Sequence, residues 1–316
     1  MGNTKIEWSD ITVNPIHLIR EDGSNGGHWC HKVSPGCANC YAEAQNQSNY
    51  FKFASHLPYT GEVPQNLIFD EKVMKKLLNM RSPKKIFVCS MTALFGEWVP
   101  DEWIDKAFAY MAMASQHTFQ ILTKRPERMR SYLQGAKQRI RCAAVDLGRQ
   151  LNLAPERYEP YETCEFDWPL PNVWLGVSVE NQKAADDRIP LLLATPAKIK
   201  FLSCEPLLEA IDLRKHFRTS NSGDILTWLD YLNWVIIGGE SGSNARPCDV
   251  NWIRSIVQQC KPTNVAVFVK QLGSRSSLSS GLPGLQFGSG LKHHKGGDIN
   301  EFPEELKIRQ LPSEKL

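Results

Sequence analysis

Short runs of apolar, β-prone residues recur along this chain, and nearly all of them end in polar or charged side chains. They are Ile86–Cys89, Phe119–Leu122, Val173–Val177, Ile199–Leu202, Trp234–Ile237 and Val265–Val269, with Ile11–Val13 as an earlier one. Most lie roughly 25–35 residues apart, the repeat of a βα unit. Their apolarity is continuous rather than alternating, which predicts cover on both faces, as in a parallel sheet. Asp101–Gln116, Asn181–Ala194 and Asn251–Cys260 read as intervening helices, with Asp101 and Asn181 as N-caps and Pro100 ahead of the first. Six or seven such units predict an α/β fold: a complete or partial (β/α) barrel with loop insertions. A doubly wound open sheet competes, but no Gly-x-Gly-x-x-Gly follows the first run.

The chain's 316 residues are enough for such a barrel without disulfide staples. At 42% hydrophobic and 22% charged it is neither disordered nor fibrous. No stretch reaches the roughly 18 apolar residues of a membrane helix. The N-terminus lacks the apolar core of a signal peptide, and nine cysteines is an odd number, so a reducing, cytoplasmic setting is expected. The expected layout is a barrel over 1–272 with an insertion at about 135–171. A Gly/Ser-rich loop and C-terminal tail, 273–316, would pack on it.

In a barrel, the loops at the C-terminal strand ends converge on one mouth. Here the runs end in Ser90-Met91-Thr92, Thr123-Lys124-Arg125, Ser178-Val179-Glu180, Ser203-Cys204-Glu205, Gly238-Gly239-Glu240 and Lys270-Gln271. Charge at that depth is costly unless it is paired or binds something polar. Lys124, Glu180, Glu205, Glu240 and Lys270 therefore read either as a self-neutralising network or as one ligand pocket. Gly238-Gly239 serves either a tight turn or close approach of a ligand.

Cys30, Cys37 and Cys40 form Cys-x6-Cys-x2-Cys in a segment of Gly, Pro, Asn, His and Lys, just before an expected helix at Tyr41–Asn49. Three thiolates leave one coordination position open. Zinc would close it with His28 or His31. A [4Fe–4S] cluster would keep it for a ligand.

Taken in order, several motifs resemble a phage-associated, three-cysteine, radical SAM-like family of unassigned function. They are Thr4–Trp8 with Asn14-Pro15, Val33–Ala42, Phe95–Pro100, Leu122–Pro126, Trp174–Asn181, Ser203–Leu207, Gly238–Gly242 and Lys270–Gly273. The first cysteine gap is longer than the Cys-x3-Cys-x2-Cys of standard radical SAM enzymes. Gly238-Gly239-Glu240 also follows a late run rather than the second. The resemblance implies a radical SAM-type barrel with a [4Fe–4S] cluster on Cys30, Cys37 and Cys40. It further implies S-adenosylmethionine at the open iron, and an electron donor such as flavodoxin or ferredoxin. Reductive cleavage would give a 5′-deoxyadenosyl radical that acts on the substrate. Lys124, Glu205 and Lys270 are expected to be catalytic. Ser90, Thr92, Glu180, Gly238, Gly239 and Glu240 are expected to bind cofactor.

Net charge is only +3, but Lys124–Arg149 holds eight basic and two acidic residues, and Asn152–Asp167 five acidic and one basic. The two stretches either neutralise each other or leave a basic strip for nucleic acid, with Arg128, Arg130, Arg139 and Arg141 on one helix. The substrate is accordingly expected to be a nucleic acid or nucleotide. The competing reading is a non-catalytic, metal-stabilised nucleic-acid-binding or phage-defence protein.

Overall fold

A computed structural model describes residues 2–4, 6–51, 53–219, 223, 225–277 and 291–312. Lys5 and much of the Gly/Ser-rich loop and tail (278–290 and 313–316) lie outside the described residues.

Seven strands follow one another in sequence order within one sheet: β1 (Ile11–Val13), β2 (Lys85–Val88), β3 (Thr118–Thr123), β4 (Val173–Ser178), β5 (Ile199–Cys204), β6 (Trp234–Gly238) and β7 (Ala266–Gln271). With helices in the connections, this is a partial (β/α) barrel. A short segment, Gly2–Asn3, adds antiparallel to β1. The chain divides into two compact units: Met1–Val33, Cys40–Leu175 and Thr195–Lys198 in the first, Ser34–Asn39, Gly176–Ala194 and Ile199–Leu316 in the second.

In the first unit, β1 pairs in parallel with β2, Ile11 opposite Ile86, and β2 with β3, Lys85 opposite Thr118. The centres of β2 and β3 are buried, as continuous apolarity requires, and Ile11 and Val13 flank a half-buried Thr12 in β1. The longer helices are α1 (Tyr41–Gln47), α2 (Glu71–Leu78), α3 (Asp101–Met113), α4 (Pro126–Gln134) and α5 (Ala136–Gln150). Two expectations change here. Asp101 is not the N-cap of α3: Pro100 holds that position, and the Asp101 carboxylate turns to Arg128 and Arg139 instead. The four arginines of the basic strip do not share a helix either. Gly135 ends α4 and begins α5, so Arg128 and Arg130 lie on one and Arg139 and Arg141 on the other. The part of the expected insertion that follows Gly135 opens with α5, which packs on α3.

In the second unit, β6 pairs in parallel with β5, Trp234 opposite Phe201, and with β7, Trp234 opposite Ala266. Its helices are α6 (Gln182–Leu193) and α7 (Val250–Cys260). Asn181 caps α6 by accepting from the Ala184 amide at 2.8 Å. Asp249 caps α7 from the Asn251 amide, so that helix starts one residue before the sequence reading placed it. On α7, Val250, Ile253, Ile256, Val257 and Cys260 give the buried stripe of an amphipathic helix. Among the described residues, no helix is long and apolar enough to cross a membrane.

Candidate functional site

The three cysteines divide between the units: Cys30 and Cys40 belong to the first, Cys37 to the second. None of the three is in a disulfide, and each is half-buried.

In the first unit, the polar residues after β2 grip the chain on either side of Cys30 and Cys40. The Thr92 hydroxyl donates to the carbonyl of Trp29 at 2.6 Å, and Tyr41 donates its hydroxyl to the Ser90 carbonyl at 2.7 Å. Ser90 itself is tied to Asn14, beyond β1, at 3.1 Å. After β3, Lys124 is half-buried and its neighbour Arg125 fully buried. Arg125 pairs with Glu97 at 2.7 Å, stacks over Trp98 at 4.6 Å and donates to the His31 carbonyl at 2.8 Å. One guanidinium thus fixes the backbone beside Cys30. Glu43 of α1 accepts from the Tyr59 amide at 2.8 Å and pairs with Lys32 at 2.6 Å.

In the second unit, Pro35–Cys37 is a single 3₁₀ turn whose middle residue, Gly36, is buried. Glu180, after β4, has no solvent exposure; it accepts from the Gly36 amide at 3.3 Å and pairs with Arg188 of α6 at 2.8 Å. Glu240, after β6, accepts from the Asn39 side chain at 2.9 Å and from Arg246 at 2.6 Å. Arg246 also reaches the Pro35 carbonyl at 2.9 Å. Lys270 and Glu205, at the ends of β7 and β5, form an ion pair at 2.5 Å with each side chain under one-fifth exposed. The register of β6 on β7 shifts between Ile237 and Gly238, a bulge of the kind that re-aims side chains beside sites. Gln271 then donates to the Gly239 carbonyl at 2.7 Å. A Cβ on Gly239 would lie 2.4 Å from the Leu272 carbonyl oxygen, so the close approach there is made by the chain itself.

A family model described as "Protein of unknown function (DUF5131)" matches residues 3–300. The chain belongs to this family. No curated protein matches it. Among solved structures it is similar to a cysteine-to-serine mutant of spore photoproduct lyase, at 9% identity and a TM-score of 0.32. That similarity covers 84% of this chain, which spans only 64% of the length of the solved one.

Electrostatics separate the thiols of this DUF5131 chain. Burial pushes the Tyr59 phenol far up, and the charges of Cys40 and Cys30 push it further. Two of the three cysteines therefore act on one phenol, which stays protonated and donates to the Met91 carbonyl at 2.7 Å. Cys89 is also held protonated, chiefly by burial and then by Cys30. His28 is drawn down to about 4 by desolvation, so at neutral pH it is uncharged, its Nδ1–H donating to the Ile16 carbonyl at 3.0 Å. Among the described residues, no three His, Cys, Asp or Glu side chains are gathered around one metal-ion position. A mononuclear zinc site asks for that arrangement, with every ligand about 2.0–2.3 Å from one ion. A cluster asks for one thiolate per iron. Cys30, Cys37 and Cys40, three cysteines in no disulfide within one short stretch of chain, are the donor type a cluster asks for.

Sequence reasoning missed Arg125, Arg188, Arg246, Asn39 and Tyr59. Arg188 did leave a signal. It sits in the buried series Ala184, Ala185, Ile189, Leu192 of α6, where a charge demands a partner. Several arginines of the basic strip pair with carboxylates within its own unit. Arg128 pairs with Asp101, Arg139 with Asp105 at 3.3 Å, and Arg149 with Glu162, in the acidic stretch, at 2.6 Å.

The carboxyl of Glu240 has a testable pH signature. Burial acts to raise its pKa, but the hydrogen bonds from Arg246 and Asn39 outweigh burial and hold it below the usual 4.5. A depressed folded-state pKa contributes stability that is present above the unfolded value and lost as pH falls through the folded one. Thermal unfolding followed from pH 7 downward should therefore show a loss of stability below the ordinary carboxylate range. In Glu240→Gln that loss should be smaller and the stability at pH 7 lower. Parallel profiles for the two proteins would contradict the depressed pKa.

Proposed function

We propose that this chain is an iron–sulfur enzyme of the radical SAM type. Cys30, Cys37 and Cys40 would hold a [4Fe–4S] cluster, with S-adenosylmethionine as co-substrate. When bound, that pair supplies a one-electron cleavage of the sulfonium and a carbon-centred radical for hydrogen abstraction.

The observation that carries the reading is where the cysteines stand. They occupy the long connection after the first strand of a partial (β/α) barrel, in no disulfide and each half-buried. Polar groups recur at the ends of the strands that follow, as a barrel mouth requires. The chain's own residues then have definite tasks. Thr92, Ser90 and Arg125 fix the backbone around Cys30 and Cys40. Tyr59, buried and held protonated, donates its hydroxyl to the Met91 carbonyl and so ties that part of the unit to the residues after β2. Glu205 and Lys270, paired but not sealed, are the groups in the second unit best suited to orient a polar ligand. Arg128, Arg139 and Arg149 pair with carboxylates of their own unit, so a nucleic-acid face would have to rest on the other basic residues of the strip.

The test is anaerobic reconstitution of the full chain with iron and sulfide, reduction with dithionite, and addition of S-adenosylmethionine. A brown protein that releases 5′-deoxyadenosine is expected. A colourless protein carrying zinc, or a brown one that yields none, would overturn the proposal.

A further inference from the structure

The turn that carries Cys37 has little to hold it from within. Pro35–Cys37 is one 3₁₀ turn, closed by the Cys37 amide on the Ser34 carbonyl at 2.9 Å and the Ala38 amide on the Pro35 carbonyl at 3.1 Å. Ser34 makes no side-chain cap. So short a piece does not persist alone, because nucleation costs more than one or two hydrogen bonds return. Its order has to come from what touches it.

Within the second unit, two strand ends touch it. Glu180 accepts from the Gly36 amide, and a Cβ on Gly36 would lie 2.9 Å from the Glu180 carboxyl carbon, so only glycine allows this approach. Arg188 donates to both oxygens of that carboxylate. Glu240 accepts from the Asn39 side chain, the Arg246 amide at 2.8 Å and the Arg246 guanidinium. Asn39 makes a second bond to the Asn244 carbonyl at 2.8 Å, and Arg246 reaches the Pro35 carbonyl. An ionised carboxylate has about four acceptor sites. Glu240 accepts four bonds from Asn39 and Arg246, three on Oε2 and one on Oε1.

We infer that Glu180 and Glu240 are positioning residues for the cysteine loop, holding residues 34–39 and with them the thiol of Cys37, rather than groups that bind a ligand directly. The purpose of this clamp rests on the proposed cluster, but the clamp can be measured without it. Asn39→Ala cuts one grip and leaves Glu240 paired with Arg246, so the fold should persist. Arg246→Met cuts the grip on Pro35.

In the metal-free full chain, iodoacetamide labelling of each cysteine is followed by mass spectrometry. Cys142, exposed on α5, and Cys260, buried on α7, serve as internal references. The expected result is a several-fold faster modification of Cys37 in both variants, with Cys142 and Cys260 unchanged. Asn39→Gln, which keeps the amide donor, should fall between wild type and Asn39→Ala. In the reconstituted protein, iron release to a chelator should be several-fold faster in the same variants. An unchanged Cys37 rate in both variants would overturn the inference. So would a rise shared by Cys260, because that reports loosening of the whole fold. If wild type takes up no iron while Cys37 still reacts faster in the variants, the cluster reading fails and the clamp stands. If wild type holds iron and no variant alters labelling or release, the clamp fails and the cluster stands.

Discussion

Replacing Cys30, Cys37 or Cys40 by alanine, one at a time, is expected to reduce iron incorporation to background. Cys142→Ala and Cys260→Ala should leave it at the wild-type level. The two groups differ in chemistry as well as place. The first three are half-buried on a loop rich in turn residues, where a thiolate can form and reach a metal. Cys260 is sealed against α7's own core, and burial pushes its thiol up to about 12, so it stays protonated and inert. Cys204 and Cys248 are likewise buried and raised, Cys248 to about 12. Cys142 is exposed on α5 without a loop that would bring other thiols to it. Cys89, near Cys30, is held protonated chiefly by burial and is a poor replacement for a lost ligand. Iron and acid-labile sulfide per chain after anaerobic reconstitution decide the matter. Full iron content in Cys37→Ala would remove that residue from the ligand set, and loss in Cys142→Ala would point to a different site.

The strands were the most readable part of this chain. Runs such as Trp234–Ile237 are buried on both faces, and an uninterrupted apolar run has few other uses. Helix ends were less readable. Asp101 is a good N-cap by residue type, yet Arg128 and Arg139 compete for its carboxylate, and Pro100 takes the cap position. The strand-end glutamates were visible as costly charges, but the groups that compensate them were not. Arg188 lies eight residues beyond Glu180, two turns along α6, and Arg246 sits in a turn six residues beyond Glu240. No short-range pattern encodes such pairs, which depend on the path of the chain after each strand. The glycines at 238 and 239 were ambiguous for the same reason. Whether a ligand or the chain itself fills the space over Gly239 depends on Leu272, thirty-three residues away in sequence.

Arg188→Ala is expected to destabilise the protein by about 3–5 kcal/mol, the cost of removing one partner from a buried ion pair. Glu180 has no solvent exposure, and the Arg188 side chain is only 10% exposed. With the guanidinium gone, the carboxylate keeps the Gly36 amide as a donor, at a long 3.3 Å, which cannot balance a full buried charge. The bond from Arg188 to the Ser178 carbonyl at 2.8 Å is lost at the same time. Removing both charges should be far less harmful, since the penalty comes from the charge left behind. Glu180→Leu combined with Arg188→Met is therefore expected to be more stable than Arg188→Ala alone, although Gly36 then lacks its acceptor. Urea unfolding followed by tryptophan fluorescence gives the comparison for wild type, both single variants and the double. A loss below about 1 kcal/mol in Arg188→Ala would mean the pair behaves like an exposed salt bridge. In that case Glu180 finds water or another donor when Arg188 is removed, and the closed packing around it does not hold.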